Sequence, residues 1–448
     1  MADTQKRKAI WGWMFFDWAA QPFHTLIITL IFSPYFASHV VGDAVRGQAI
    51  WGYGMAAAGL SIAILAPIFG AIADTRGSRR SWVWFFSIIY VPAAASLWFA
   101  EPGAQNPWLV LVGFGVALLA LEMTVAFTNA SLPDIAQGDD VGDVSGKGWA
   151  FGYIGGLLAL FFVLACLAES KDGRTLTGIA PIFGLDPMQF EGTRATGPLT
   201  ALWYVVFMIP FFAWVPLQGR PRKGVSVRDA LADLRRTLAS LPKRRPLLLY
   251  LMSSMFFRDA LNGVFAFGAI YAVGVLDWST TQIGIFGIFA AATGALGAYF
   301  GGKLDRRFGP HPVLFASMAI LMVASLAAIS ATRGGVLGLT VAPTSQLPDM
   351  VFYLCGMLFG AAGGSLQSAG RTGLIRQADP ARMTEAFGLY ALAGRATAFV
   401  APLAIAITTD FTGSQRAGIL PVVVLFAIAF VILLFVRTRR NGDPVHAI

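Results

Sequence analysis

Residues 14–23 read MFFDWAAQPF, and residues 255–260 read MFFRDA, about 241 positions further on. Each stretch sets charge among aromatic and aliphatic neighbours near the start of a long apolar block. A second pair keeps nearly the same offset: SGKGWAFGYIGG at 145–156 answers EAFGLYALAGRA at 385–396. Two separate matches at nearly one offset indicate a duplicated unit, and a repeat constrains architecture before any local pattern does. A third pair, GAIADTRGSRR at 70–80 and GGKLDRRFGPH at 301–311, lies at an offset near 231, as a shorter first external loop in the second half would produce.

Around these repeats the chain is apolar: of 448 residues 56% are hydrophobic and 13% charged, with the apolar residues in long uninterrupted blocks. That composition belongs to a membrane protein. A hydrocarbon core about 30 Å thick takes about 20 apolar residues per helix. The sequence accordingly predicts an all-α membrane protein with twelve spans, near residues 17–41, 51–73, 81–100, 107–130, 148–168, 197–217, 246–276, 282–302, 311–331, 350–374, 385–409 and 418–436. The first span is too long for a cleavable leader, carries Asp17, and lacks a small-residue cleavage site before the second.

Residues 219–245, GRPRKGVSVRDALADLRRTLASLPKRR, form a basic linker that divides the spans six and six. The predicted organisation is a six-helix bundle over 1–218, the linker, and a second bundle over 246–448, as parallel repeats about an axis along the membrane normal. Val227, Leu231, Leu234 and Leu238 recur at helical spacing, which predicts an amphipathic surface helix. A tether to anionic lipid is favoured there over a regulatory role.

An even number of spans puts both termini on one side. Counting Arg371 with the loop it adjoins, 25 of the 33 lysines and arginines fall on that side, six on the other, and Arg258 and Arg395 within spans. This asymmetry makes the termini cytoplasmic. It also accounts for the net charge of +9 without nucleic acid, since no aromatic-interleaved basic patch is present. Cys166 and Cys355 both lie in spans and the four histidines are scattered, so no disulfide framework, metal site or cofactor is expected. The nearest approach to a phosphate loop, GAYFGGKL at 297–304, has Leu304 where a magnesium-binding hydroxyl is needed and ends a span instead of following a strand. No GxSxG or HExxH pattern appears, so an enzyme is not expected.

Charge within a span costs on the order of a few kcal/mol, which makes each such residue a functional candidate. There are seven: Asp17 and His24 in span 1, Glu122 in span 4, Arg258 and Asp259 in span 7, Arg371 in span 10 and Arg395 in span 11. Residues three, four or seven apart share a helical face. Asp17, Gln21 and His24 therefore form one stripe, Glu122 and Asn129 a second, Asp259 and Asn262 a third, and Gln367 and Arg371 a fourth. Spans 1, 4, 7 and 10 are expected to face a shared aqueous cavity. Alternatively, Asp17 sits in the headgroup zone between Trp13 and Trp18, and Arg371 snorkels from a span end. Arg258 and Asp259 point about 100° apart on a helix, so one of them orients packing. Gly148, Gly152 and Gly156, Gly356, Gly360 and Gly364, and Gly294, Ala298 and Gly302 recur every four residues, as faces for close helix approach do.

GAIADTRGSRR resembles the signature between helices 2 and 3 of the major facilitator superfamily. Gly70, Asp74, Gly77, Arg79 and Arg80 match it, whereas Thr75 replaces the usual arginine and Arg76 follows. In the second copy Arg306 holds the aspartate's place and Asp305 is one residue early. The resemblance implies a fold of two six-helix bundles and a conformational latch in which Asp74 approaches the start of span 11 near Glu385, where a helix N-terminus favours a carboxylate. FDWAAQPF at 16–23, SLPDIA at 131–136, VSGKGWAFGYIGG at 144–156, RATGPLTALWY at 194–204, and FGLYALAGRATAFVAPL with TGSQRAGI in 387–419 further resemble the branch of vacuolar amino-acid effluxers linked to autophagy and their bacterial relatives. The chain is accordingly expected to be a monomeric transporter in a bacterial inner membrane, moving a small polar, amino-acid-like solute by alternating access with proton coupling. Glu122 is the expected proton carrier, since partial desolvation lets a carboxylate titrate near neutrality. An exporter of apolar drugs and a non-transporting sensor or scaffold are the alternatives.

Overall fold

Twelve helices of the computed structural model are long and apolar enough to cross a membrane. They are span 1 (Thr4–Val40), span 2 (Ala44–Gly70), span 3 (Arg79–Phe99), span 4 (Pro107–Ala130), span 5 (Lys147–Leu167), span 6 (Glu191–Trp214), span 7 (Arg245–Leu276), span 8 (Thr280–Phe308), span 9 (Pro310–Ser330), span 10 (Leu347–Gln377), span 11 (Ala386–Thr412) and span 12 (Gln415–Leu434). The structure describes residues 3–436 except 77–78, 136–139, 171, 217–231, 233–234, 237 and 379–382, and describes only the backbone at 3, 71, 73–76, 133–134, 140–143, 145–146 and 383–385. Val227, Leu231 and Leu234 of the linker helix lie outside the described residues, and Leu238 is helical and exposed.

Span 1 begins well before the apolar run that predicts it. Thr4 to Trp13 is helical despite Lys6, Arg7 and Lys8, because packing, rather than hydropathy, holds this end: Trp13 is 1% exposed and its indole Nε1 donates to the Thr128 carbonyl at 3.0 Å. Asp17 thus lies about 20 Å along the helix from Thr4, at about 1.5 Å per residue. A tryptophan buried against span 4 is not an interfacial anchor, so the Trp13 side of the headgroup alternative falls away. At Pro22, which has no N–H to give, the α-helix passes into a π-helix over Phe23–Leu30, a widened turn of the kind found where helices carry function.

Contacts divide the chain into two units, Met1–Asp233 with Trp278–Gly284, and Leu234–Asp277 with Ile285–Ile448. In the first unit span 1 packs on spans 5 and 6, span 2 on span 4, and span 3 on spans 4 and 6. In the second, span 7 packs on spans 10, 11 and 12, span 9 on spans 10 and 12, and span 11 on span 12. The pairings 1–5, 1–6, 3–4 and 3–6 thus recur as 7–11, 7–12, 9–10 and 9–12: the sequence repeat is a repeat of packing.

The small-residue faces lie where helices touch. A Cβ on Gly148 would stand 2.7 Å from Asp17 Oδ2, closer than packed side chains come, and one on Gly152 would stand 3.0 Å from Asp17 Cβ, so that Asp17 would have to give way. Gly360 and Gly364 of span 10 abut the Ala290 and Gly294 carbonyls of span 8 in the same way. Between spans 9 and 10 the strands β1 (Gly335–Val336) and β2 (Leu339–Thr340) pair antiparallel. Their two-residue turn, Leu337 and Gly338, has positive φ at both positions, 52° and 82°, as a primed hairpin turn requires.

Candidate solute pathway

In the first unit the polar stripe of span 1 divides between two neighbours. Asp17 and Gln21 lie against the span 5 glycines: Gly148 and Gly152 adjoin Asp17, and Gly156 adjoins Gln21 and Thr25. One Asp17 oxygen, Oδ2, is buried and accepts no hydrogen bond. His24, two residues into the π segment, turns to span 4 instead, where its Nε2 stands 3.9 Å from Glu122 Oε1 with both side chains partly exposed, 33% and 24%. At that separation the pair is coupled electrostatically and is too long for a hydrogen bond. Asn129 is exposed, seven residues beyond Glu122 and apart from this pair. The structure therefore brings His24 and Glu122 together from two helices, a pairing that spacing along either helix cannot reveal.

In the second unit Arg258 and Asp259 both meet span 11. The Arg258 guanidinium lies 4.5 Å over the Tyr390 ring and donates from Nη1 to the Tyr390 carbonyl at 2.8 Å. Gly394 makes the room, since a Cβ there would collide with the guanidinium. Asp259 is 2% exposed, and its Oδ2 accepts from the Ala401 amide at 2.8 Å. Span 11 explains that bond: helix runs over Met383–Ala396, breaks, and resumes at Val400–Thr412. The new N-terminus exposes amides with no intrahelical partner, and Phe399 offers no side-chain cap. Asp259 caps it from another helix, where the macrodipole also favours a carboxylate. Pro402, in the first turn after the break, is the sequence signal that marks it. Asn262 and Arg371 are exposed and Gln367 is half-buried.

At the signature, Arg79 Nη1 donates to the Ala130 carbonyl at 2.8 Å and Arg80 Nη2 to the Phe212 carbonyl at 3.1 Å. These carbonyls belong to the last turns of spans 4 and 6, so each arginine satisfies an unpaired helix C-terminus with the charge that the dipole favours. Space is open around Gly70. The Asp74 side chain, Gly77 and the Glu385 side chain lie outside the described residues. In the second copy the displaced Asp305 is buried and accepts from the Thr372 hydroxyl of span 10. Among the described residues no group of three or more metal-ligating side chains occurs.

Twelve spans in two repeated units, with ionisable groups held inside spans 1, 4 and 7, define a transporter of the major facilitator superfamily. The backbone resembles that of a bacterial homolog of the human lysosomal transporter Spinster, with a TM-score of 0.65 at 14% identity over 97% of this chain and 98% of that one. It is also similar to a D-xylose-proton symporter, with a TM-score of 0.64 at 12% identity over 96% of each chain. Within the superfamily, the family model described as "Vacuole effluxer Atg22 like" matches residues 38–443, and the chain belongs to that family. It is 23% identical to the MFS-type transporter YxiO of Bacillus subtilis over 96% of this chain and 95% of that protein. It is 25% identical to Autophagy-related protein 22-2 of Neosartorya fischeri over 66% of this chain, which spans about half of that longer protein.

Proposed function

We propose that the protein is a secondary active transporter that moves a small polar, amino-acid-like solute by alternating access, coupled to protons, with both termini cytoplasmic in a bacterial inner membrane. The observation that carries the coupling is the His24–Glu122 pair, 3.9 Å apart and partly exposed. Glu122 carries the proton. His24 approaches it from the π segment of span 1, so that rewinding of that segment would change the separation on which the coupling depends. The exposed Arg371 and Asn262 supply a cation and an amide for a carboxylate-bearing solute. Asp259, held as a helix cap, is assigned a structural role, and Arg258 orients span 11 through Tyr390. The name of the symporter of like fold supports proton coupling, and the description of the family supports solute release.

Purified protein in proteoliposomes tests this with a panel of radiolabelled amino acids. The expected result is counterflow exchange of at least one of them, with uphill accumulation only under a pH gradient. Glu122→Gln should preserve counterflow and abolish the accumulation. Undiminished pH-driven accumulation in that variant would remove Glu122 from the coupling, and absence of counterflow for every amino acid would remove the solute class.

A further inference from the structure

The last three turns of span 8, which run into the second copy of the signature, carry a pattern that the proposed transport steps leave unassigned. Tyr299, Lys303 and Arg307 recur at i, i+4 and i+8, and beside them Phe300, Leu304 and Phe308 recur at the same interval. That spacing lays two parallel ladders on adjoining faces of the helix, about 100° apart, one basic and aromatic, the other wholly apolar. Both are exposed: Tyr299 60%, Phe300 54%, Leu304 48% and Phe308 57%. Lys303 Nζ lies 4.4 Å over the Tyr299 ring and 5.8 Å from that of Phe300, and Arg307 lies 5.1 Å over Phe308. Among the described residues neither cation is in an ion pair. The other cation–π pairs, Arg194 on Trp98 and Arg258 on Tyr390, have half-buried or buried cations bonded to carbonyls. Only at the end of span 8, among the described residues, are exposed cations posed on exposed rings.

We infer that this face is a binding site for an anionic phospholipid of the cytoplasmic leaflet, its phosphate held between Lys303 and Arg307 and its acyl chain lying along Phe300 and Leu304. Charge complementarity chooses the occupant. The end of span 8 lies on the face with the basic excess, opposite an anionic leaflet surface, and the cations sit one turn apart at the level where a span leaves the hydrocarbon. The rings hold the two side chains against the helix, so less side-chain entropy is lost when a phosphate binds. A soluble protein partner would meet the cations and leave the apolar ladder, which continues upward to Leu296, against lipid. Arg306, also exposed, lies three residues from Lys303 and seven from Tyr299 and adds charge beside the basic ladder.

Full-length protein purified in detergent tests this by native mass spectrometry, with phosphatidylglycerol or phosphatidylcholine of identical chains added. Phosphatidylglycerol should be retained preferentially. Lys303→Gln with Arg307→Gln should lower its retention by about thirtyfold, the equivalent of two surface cations at about 1 kcal/mol each. A control that removes the same charge elsewhere on that side, Arg7→Gln with Lys8→Gln, both exposed, should leave retention unchanged. All four side chains are at the surface, and matching melting temperatures will show that both variants fold. Equal retention by the ladder variant and the wild type, equal loss in the control, or displacement of the lipid by inorganic phosphate at millimolar concentration would each overturn the assignment.

Discussion

Asp259 is buried at 2% exposure and its partner is a backbone amide, not a cation. A carboxylate in that place is held by a charge-assisted hydrogen bond, and losing it leaves the Ala401 amide unsatisfied at the head of the second half of span 11. Asp259→Ala should therefore lower stability by about 1.5–3 kcal/mol, seen as a lower melting temperature in detergent. Asp259→Asn retains an oxygen acceptor and should lose much less. Equal losses in the two variants would show that the cap is not what Asp259 contributes. Arg258 differs in kind: its ring and carbonyl contacts, and the missing side chain at Gly394, make a shaped slot for a guanidinium that a lysine would fill poorly.

Between elements, the join from span 5 to span 6 carries a titrating group. Glu169, two residues past span 5, is 2% exposed and accepts from the Thr193 amide in the first turn of span 6 at 3.3 Å. Tyr35 of span 1 and Arg194 of span 6 lie close by, and Arg194 is drawn off by Glu101 at 3.7 Å and by the Trp98 carbonyl at 2.8 Å. Burial pushes the Glu169 carboxyl above its ordinary value of 4.5, against hydrogen bonds from Thr193 and Gly192 that pull it down. The folded protein thus binds this proton more tightly than the unfolded chain does. The stabilisation is full below the ordinary value and is lost as pH rises through the raised one. Glu169→Gln, which cannot titrate, should show a shallower fall in melting temperature between pH 5 and pH 8, a window of about three units above the reference value. Parallel curves for variant and wild type would refute this.

For the whole molecule, the testable quantity is topology. With Cys166 and Cys355 replaced by serine, a cysteine at Phe183, which is 84% exposed between spans 5 and 6, should react with an impermeant maleimide in intact cells. A cysteine at the exposed Lys243, just before span 7, should react only after permeabilisation. The reverse pattern would invert the proposed orientation and move the span 8 lipid site to the outer leaflet.

The number of spans, their all-helical character and the duplication were legible in the chain because each rests on local composition or on offset. A membrane demands about 20 apolar residues wherever a helix crosses, and two copies of one unit leave the same words at one interval. The start of span 1 at Thr4 was not legible, since a buried Trp13 overrides a basic run, and neither was the interruption of span 11 beyond the hint of Pro402. Polar stripes identified the helices that carry charge but not the partners. Asp17 facing the span 5 glycines, His24 reaching Glu122 and Asp259 capping another helix are all contacts between helices far apart in sequence, and helical periodicity says which residues share a face without saying what that face meets.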